Sequence, residues 1–168
     1  MDIFAHGLWG YAILYKNRRN AWLGALFGVL PDIIPFAPAF IMRILSGDFQ
    51  GGRPSLSSIP EWTFSAYNVT HSLVAFAVVF LLVYAMTKKW FWPLIAWGFH
   101  ILSDIPTHTT RFFATPFLWP IAEYRFNGIS WGTPWFMALN YAAILTVFIF
   151  IARERAKERK ASAKFKKH

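Results

Sequence analysis

Long apolar runs separated by short polar turns dominate the chain. The apolar segments cover residues 3–15, 21–45, 71–87, 90–105 and 133–152. A helix needs about 20 residues to cross a bilayer, so segment 133–152 is long enough to do so. Segments 71–87 and 90–105 are slightly short but workable, and segment 3–15 is too short. The pattern therefore predicts helices that span or line a membrane.

Local residue choice predicts where two of these helices begin or end. Thr133 is a suitable N-cap and Pro134 suits the first helical position of segment 133–152. Segment 21–45 contains three prolines, which we expect to end a helix near Leu30. They are Pro31, Pro35 and Pro38. Residues 46–66 and 106–132 are expected to be loops, the first polar and the second rich in aromatic residues.

Composition supports the membrane interpretation. The chain is 56% hydrophobic and 20% aromatic, and only 15% of its residues are charged, whereas soluble domains average about 25%. The predicted fold is an all-α integral membrane protein, a compact helical bundle of four to five apolar segments. Cysteine is absent, so any metal ion must be held by His, Asp or Glu.

The basic charge of the chain is concentrated at its C-terminal end. Residues 153–168 carry eight Lys or Arg against two Glu, whereas the whole chain has a net charge of +9. A basic segment that follows an apolar helix is typical of a cytoplasmic anchor attracted to anionic lipid. We therefore predict a membrane-embedded domain at 1–152 and a basic cytoplasmic tail at 153–168, without specific nucleic-acid binding.

Basic residues also predict the orientation of the bundle. Besides the tail, they cluster in two turns, at residues 16–19 and 88–89. The positive-inside rule places all three clusters in the cytoplasm. Every other junction then lies on the opposite side, together with six ionisable residues. These are His6, Asp32, His71, His100, Asp104 and His108.

The sequence contains a weak internal repeat. HGLWGYAILYKNRR leads to AWLGALFGVLPDI, and HSLVAFAVVFLLVYAMTKK leads to WFWPLIAWGFHILSDI. Each unit has a His at a helix start, a basic turn and a returning helix that ends in Asp-Ile. The pattern predicts two repeated hairpins followed by a C-terminal transmembrane helix, although two apolar hairpins also resemble each other by chance.

The clearest candidate chemistry lies in the stretch HILSDIPTH, residues 100–108. His100 and Asp104 are four residues apart, so on a helix they share one face and can grip one ion. Pro106 is expected to end the helix, leaving His108 to approach from the loop. Imidazole and carboxylate ligands suit Zn²⁺, and also Mn²⁺ or Fe²⁺, and this set could hold one or two ions. A proton or ion pathway is the alternative, because charges at membrane depth also mark relays.

A hydrolytic site would also need a group that holds an anionic substrate. Arg111 is the nearest basic residue on the predicted site side. Thr70 could cap a helix that starts at His71 and leave N–H groups free for a phosphate. Asp104 could serve as general base as well as ligand. Arg111 could equally be an interfacial residue whose stem lies along apolar surface.

Five short motifs resemble, in order, the membrane-bound metal-dependent hydrolase family often called YdjM-like. They are AHGLWG (5–10), GVLPDI (28–33), THS (70–72), HILSDIPTH (100–108) and TPFLWP (115–120). The resemblance implies a compact helical membrane protein whose metal is held by His6, Asp32, His71, His100 and Asp104. Family members often carry a His-Arg pair shortly before Thr-His-Ser, where this chain has SAYN (65–68).

The sequence thus predicts an inner-membrane, multi-pass, metal-dependent hydrolase with its site on the non-cytoplasmic side. Its expected substrate is a phosphoester in a lipid or a lipid-linked molecule, cleaved by metal-activated water. The alternative is a transporter or membrane-assembly protein that binds a metal or relays protons without hydrolysis. The apolar run SLVAFAVVFLLVYAMT after His71 argues against a polar path through the bilayer.

Overall fold

The computed structural model describes residues 1–48, 51 and 54–165, and within these ranges the chain is helical and forms no β-strand. The expected all-α fold is confirmed. The helices of the described part are α1 (Ile3–Ile13), α2 (Arg18–Leu45), α3 (Glu61–Thr70), α4 (Leu73–Thr87), α5 (Ile95–Asp104) and α6 (Pro134–Phe165). Short 3-10 turns lie at Leu56–Ser58 and Trp92–Leu94. Helix α3 therefore begins inside the segment 46–66 that was expected to be a loop.

The prolines do not end α2, so the predicted helix end near Leu30 is wrong. Helix α2 runs from Arg18 to Leu45 with all three prolines inside it. They lie four and three residues apart and so share one face of the helix. Helix α2 also packs against α1, α3 and α5, and these neighbours support the helix where proline N–H groups are missing.

Among the described residues, two helices are long and apolar enough to cross a membrane, namely α2 and the Pro134–Ala163 part of α6. Helices α3 and α4 add a third if they count as one span bent by 59°. Helices α1 and α5, with 11 and 10 residues, are too short. By length and composition the described residues thus offer two or three membrane spans, and the bundle of four to five apolar segments stays a prediction. The predicted start of the last helix at Pro134 is confirmed.

Apolar side chains cover the outside of the bundle. Helix α4 has no buried residue, and its Leu81, Leu82 and Met86 are 56%, 55% and 83% exposed. Exposed Leu139 and Leu145 continue this surface on α6. A helix that is apolar on all sides and not buried in protein fits a lipid environment.

Glycines let α1 and α2 approach until their backbones touch. A Cβ atom on Gly10 would overlap the carbonyl oxygen of Gly24, and one on Gly28 would overlap that of His6. Small residues at helix crossings are the usual means of close packing between membrane helices. This contact brings the residues around His6 against the middle of α2, where Asp32 lies.

Ser72, and not Thr70, caps α4, so the sequence-based assignment of the cap is wrong. Helix α3 continues through Thr70, and the chain turns at His71 before α4 begins at Leu73. The Ser72 hydroxyl accepts hydrogen bonds from the N–H groups of residues 74 and 75, both at 3.1 Å. It also donates to the carbonyl of Trp119, and the Leu73 N–H donates to the carbonyl of Phe117 at 3.0 Å. The 115–120 motif thus packs on the start of α4.

Replacing Ser72 with alanine should lower the free energy of unfolding by about 1–2 kcal/mol, because the helix loses its cap and the loop loses a donor. The measurement is an unfolding titration with a denaturing detergent. Ser65→Ala, at an exposed position of α3, is the matched control and should change stability little. Equal effects of the two substitutions would contradict the capping role.

Side-chain hydrogen bonds join α6 to α1 and to Asp2, the residue that caps α1. The indole N–H of Trp9 donates to the Asn140 side chain at 3.0 Å, and the Tyr141 hydroxyl donates to Asp2 at 2.8 Å. Arg155 donates to the Tyr11 hydroxyl at 2.8 Å. The predicted boundary at residue 152 falls inside this continuous helix, so the division into embedded domain and tail stays a prediction from charge alone.

Candidate metal centre

Three helices and two connecting segments bring the six predicted site residues together. Helix α1 supplies His6, α2 supplies Asp32, the turn after α3 supplies His71, and α5 supplies two more. Asp32, His71, His100 and Asp104 each offer one ligand atom, and these atoms all lie within 4.8 Å of one another. This is a spacing that permits a single metal ion to contact several of them.

The Asp104 carboxylate lies between two pairs of histidines. Its Oδ2 atom is 3.3 Å from His100 Nε2 and 3.6 Å from His71 Nε2. Its Oδ1 atom is 2.9 Å from His6 Nε2 and 3.6 Å from His108 Nε2. The Met1 amino group also contacts Oδ1. Asp104 is fully buried, so its two oxygens serve opposite sides of one enclosed cluster.

The second carboxylate, Asp32, lies on the partly exposed side of the cluster. Asp32 Oδ1 is 3.4 Å from His71 Nε2 and 3.8 Å from His100 Nε2. The Asp32 side chain is 14% exposed, whereas the side chains of His71, His100 and Asp104 are 0% exposed. Asp32 and His108, whose side chain is 11% exposed, are therefore the members of the cluster that solvent reaches.

The outer ring nitrogens of three histidines are held by neighbouring groups. His100 Nδ1 donates to the Gly28 carbonyl at 2.7 Å, and His108 Nδ1 donates to the Phe113 carbonyl at 2.8 Å. His71 Nδ1 lies 3.0 Å from the Thr70 hydroxyl. Because a carbonyl only accepts, the Nδ1 atoms of His100 and His108 carry a proton, and their Nε2 atoms face the cluster. Metal-binding histidines are commonly oriented in this way.

Several buried polar atoms of the cluster have no hydrogen-bond partner among the described residues. They are both ring nitrogens of His6, Oδ2 of Asp104 and Nε2 of His108. His6 Nε2 is near Asp104 in distance but is not aligned for a hydrogen bond. A buried polar atom left unpaired costs about 1–3 kcal/mol. Cations bound beside Asp104 would satisfy its Oδ2 atom and the Nε2 atoms of His6 and His108, although not Nδ1 of His6, which lies on the other side of the ring. These residues therefore fit a metal ion.

Burial keeps two of the histidines neutral. It lowers the pKa of His6 to about 4, against an attraction to Asp104 that opposes the shift. Burial also lowers the pKa of His108 from its usual range. An imidazole must be deprotonated to bind a metal, and both rings meet this condition at neutral pH.

The cluster contains residues from both of the hairpins that the sequence predicts. His6 of the first hairpin contacts Asp104 of the second at 2.9 Å. His71 of the second contacts Asp32 of the first at 3.4 Å. His100, which has no counterpart in the first hairpin, stacks on His6 with ring centres 3.6 Å apart. The two halves are therefore joined by reciprocal His–Asp contacts.

Backbone hydrogen bonds join the two ends of the loop at 106–132 and so position His108. The N–H groups of residues 128, 129 and 131 donate to the carbonyls of residues 108, 106 and 107 at 2.8–2.9 Å. Helix α5 ends at Asp104, before Pro106, as predicted. His108 then reaches Asp104 from the loop, which was also expected.

Arg111 does not join the cluster. It is exposed in the loop and forms no ion pair within the part of the chain that the structure describes. A different cation, Arg125, donates to the Asn68 side chain at 3.4 Å. Next to Asn68, the Tyr67 ring stacks on His71 at 3.7 Å. Neither Arg125 nor Tyr67 was singled out from the sequence, where the SAYN stretch (65–68) was noted only for lacking the His-Arg pair of the resembled family.

Comparisons of the chain with protein-family models, curated proteins and solved structures find no match. The resemblance to the metal-dependent hydrolase family thus rests on the five short motifs alone. The cluster geometry stands independently of that resemblance.

Proposed function

We propose that this protein is a membrane-embedded, metal-dependent hydrolase that cleaves a phosphoester in a lipid or lipid-linked substrate. One observation carries the proposal. Four imidazoles and two carboxylates meet in a buried cluster in which several ligand atoms have no partner among the described residues. A cluster of this type, with one partly exposed carboxylate, suits an ion that keeps an open position for water or substrate.

The four-residue set would hold the first ion. Its ligands would be Asp32, His71, His100 and Asp104. His6 and His108 lie on the other oxygen of Asp104, and they are the ligands available if a second ion binds. Mixed nitrogen and oxygen donors suit Zn²⁺ best, with Mn²⁺ or Fe²⁺ as alternatives. When bound, such an ion supplies Lewis acidity and lowers the pKa of water.

The chain's own residues divide the remaining tasks. Both oxygens of Asp104 face histidines in full burial, which suits a ligand better than a base that exchanges protons with water. Asp32 is partly exposed, so we place the general base there, in preference to the sequence-based choice of Asp104. Arg125, which contacts Asn68 beside Tyr67, is a second candidate beside Arg111 for holding the anionic substrate.

The proposed setting is the inner membrane, with the cluster on the non-cytoplasmic side. The residues that support this orientation are basic and lie at the opposite helix ends: the turn after α1, the turn after α4 and the C-terminal part of α6. The reciprocal His–Asp contacts support the proposed hairpin repeat. Exposed apolar helix faces on both sides of the bundle favour a substrate that arrives through the lipid.

The hydrolase proposal is tested with the full-length protein in mixed micelles, loaded with Zn²⁺ or Mn²⁺. A panel of phosphoesters, from phospholipids to soluble nitrophenyl esters, is assayed for product release. We expect metal-dependent hydrolysis of at least one lipid phosphoester, and a loss of about 100-fold or more in Asp32→Asn. Asp48→Asn, an exposed carboxylate beyond the end of α2, is the matched control. Absence of hydrolysis across the panel would reject the proposal.

A proton relay is the second candidate, because His71 Nε2 and His100 Nε2 lie 3.0 Å apart and could share a proton. The buried polar side chains of the described residues, however, gather at one end of the bundle. They are His6, Thr63, Thr70, His71, Ser72, His100, Asp104, Thr107 and Thr115. Toward the other end α1 and α2 meet through Gly10 and Gly24, which offer no relay group. Proton uptake into proteoliposomes, abolished by His100→Gln, would favour the relay.

Replacing Thr70 with valine should weaken metal binding about tenfold, because His71 loses the partner of its outer nitrogen. The affinity is measured by competition with a chelating dye. Thr146→Val is the matched control, since its hydroxyl bonds only to the backbone of α6. An unchanged affinity in Thr70→Val would show that the Thr70 contact does not orient His71.

A further inference from the structure

A long apolar groove runs between α1, α2 and α6. Its volume is about 1160 Å³, and its walls include Gly7 of α1, Ala25 and Val29 of α2, and Phe148 and Ala152 of α6. None of the six candidate metal ligands lines it. The groove is therefore a second concave feature, separate from the metal cluster.

One end of this groove is basic. Arg155, Arg159 and Lys160 line the groove itself. A smaller polar pocket beside it adds Lys16 and Arg18, against one acid, Glu158. The positive charge at this end does not contribute to the apolar packing of the groove walls.

The basic end is partly fixed in place. The Arg155 guanidinium donates to the Tyr11 hydroxyl at 2.8 Å and to the Tyr15 carbonyl at 3.0 Å. Arg159 and Lys160, one helical turn further along, are exposed and form no ion pair within residues 54–165. Their charges are thus available to a bound anion.

The length of the groove matches one leaflet. Its α6 wall extends from Phe148 to Lys160, which corresponds to about 18 Å of helix at 1.5 Å per residue. Half of a bilayer's hydrocarbon core is about 15 Å. An acyl chain that entered from the basic end would therefore end near the middle of the membrane.

We infer that the groove binds an anionic phospholipid, with one acyl chain between α1, α2 and α6 and the phosphate at Arg155, Arg159 and Lys160. The apolar walls match the chain, and the basic end matches the headgroup. A second copy of this protein is a poor occupant, because its own basic segment would face this one with like charge. The inference rests on the proposed membrane setting but not on metal binding or hydrolysis.

The test is native mass spectrometry of the full-length protein, released from detergent, after titration with dioleoyl phosphatidylglycerol or dioleoyl phosphatidylcholine. The two lipids share their acyl chains, so any difference reports the headgroup. We expect one phosphatidylglycerol to bind about tenfold more tightly than phosphatidylcholine. The double variant Arg159→Gln/Lys160→Gln should lose this preference. The matched control is Arg153→Gln/Lys157→Gln, which removes the same charge from the same helix outside the groove. This control variant should keep the preference for phosphatidylglycerol.

A second pair of variants tests the apolar part of the groove. Ala152→Trp fills the groove and should reduce binding of both lipids, whereas Ala143→Trp, on α6 but outside the groove, should not. Equal affinity for the two lipids in wild type, or an equal loss in both charge variants, would overturn the inference. So would a dimer that Ala152→Trp dissociates, because a second copy would then be the occupant.

Discussion

Asp104→Asn should lower the affinity for a divalent metal by at least about 100-fold. Loss of an outer-shell partner costs about 10–100-fold, and Asp104 is a candidate ligand whose two oxygens face four histidines. The amide of asparagine keeps the size of the side chain but removes its charge. It also places an N–H₂ donor against Nε2 atoms that we expect to bind the metal.

The affinity is measured by competition with a chelating dye in detergent-purified protein. Glu123→Gln is the matched control, because it changes an exposed carboxylate in the loop at 106–132. Helical circular dichroism and gel filtration of both variants verify that they are folded. A folded Asp104→Asn protein with the affinity of wild type would remove Asp104 from the ligand set.

Gly10→Ala should destabilise the protein by about 2 kcal/mol relative to Gly7→Ala. On propensity alone, each substitution would stabilise α1 by up to about 1 kcal/mol. At Gly10 the new methyl group would overlap the backbone of Gly24 and also approach Ala96 Cβ at 3.3 Å. At Gly7 it would meet Val29 Cγ1 at 2.9 Å and no backbone atom closer than 3.8 Å. A side-chain methyl group can shift at a smaller cost than the backbone of a neighbouring helix.

The two variants are compared by unfolding in a denaturing detergent. Because Gly10 lies at the junction of α1, α2 and α5, its substitution should also displace His6 and weaken metal binding. Gly7→Ala should leave metal binding close to that of wild type. If Gly10→Ala is as stable as Gly7→Ala, the close crossing of α1 and α2 is not what supports the cluster.

The gathering of the site residues could be predicted because it follows from charge and from the order of the segments. Basic turns at residues 16–19 and 88–89 place His6, Asp32 and His71 at one end of the bundle, whatever the details of packing. The start of α6 at Pro134 could likewise be predicted, since Thr133 and Pro134 are a local signal. Both predictions depend on residues within single segments and not on contacts between helices.

Features that depend on neighbouring helices could not be predicted. The three prolines of α2 are read locally as helix breakers, but contacts with α1, α3 and α5 keep the helix continuous through them. Thr70 and Ser72 both precede Leu73, and from the sequence either one could have capped α4. The hydrogen bond from Ser72 to the carbonyl of Trp119, 47 positions away, distinguishes Ser72 from Thr70. Arg125 and Arg111 lie in the same loop, and only its folded path shows which one approaches Asn68.

The most direct test of the account is the metal content of the wild-type protein. Full-length protein is purified gently in detergent, and its metals are measured by inductively coupled plasma mass spectrometry before and after reloading with Zn²⁺ or Mn²⁺ and dialysis. We predict one or two equivalents of a divalent metal per chain. A folded protein that contains no metal and retains none after reloading would contradict the account. The cluster of His and Asp residues would then be a buried hydrogen-bond network.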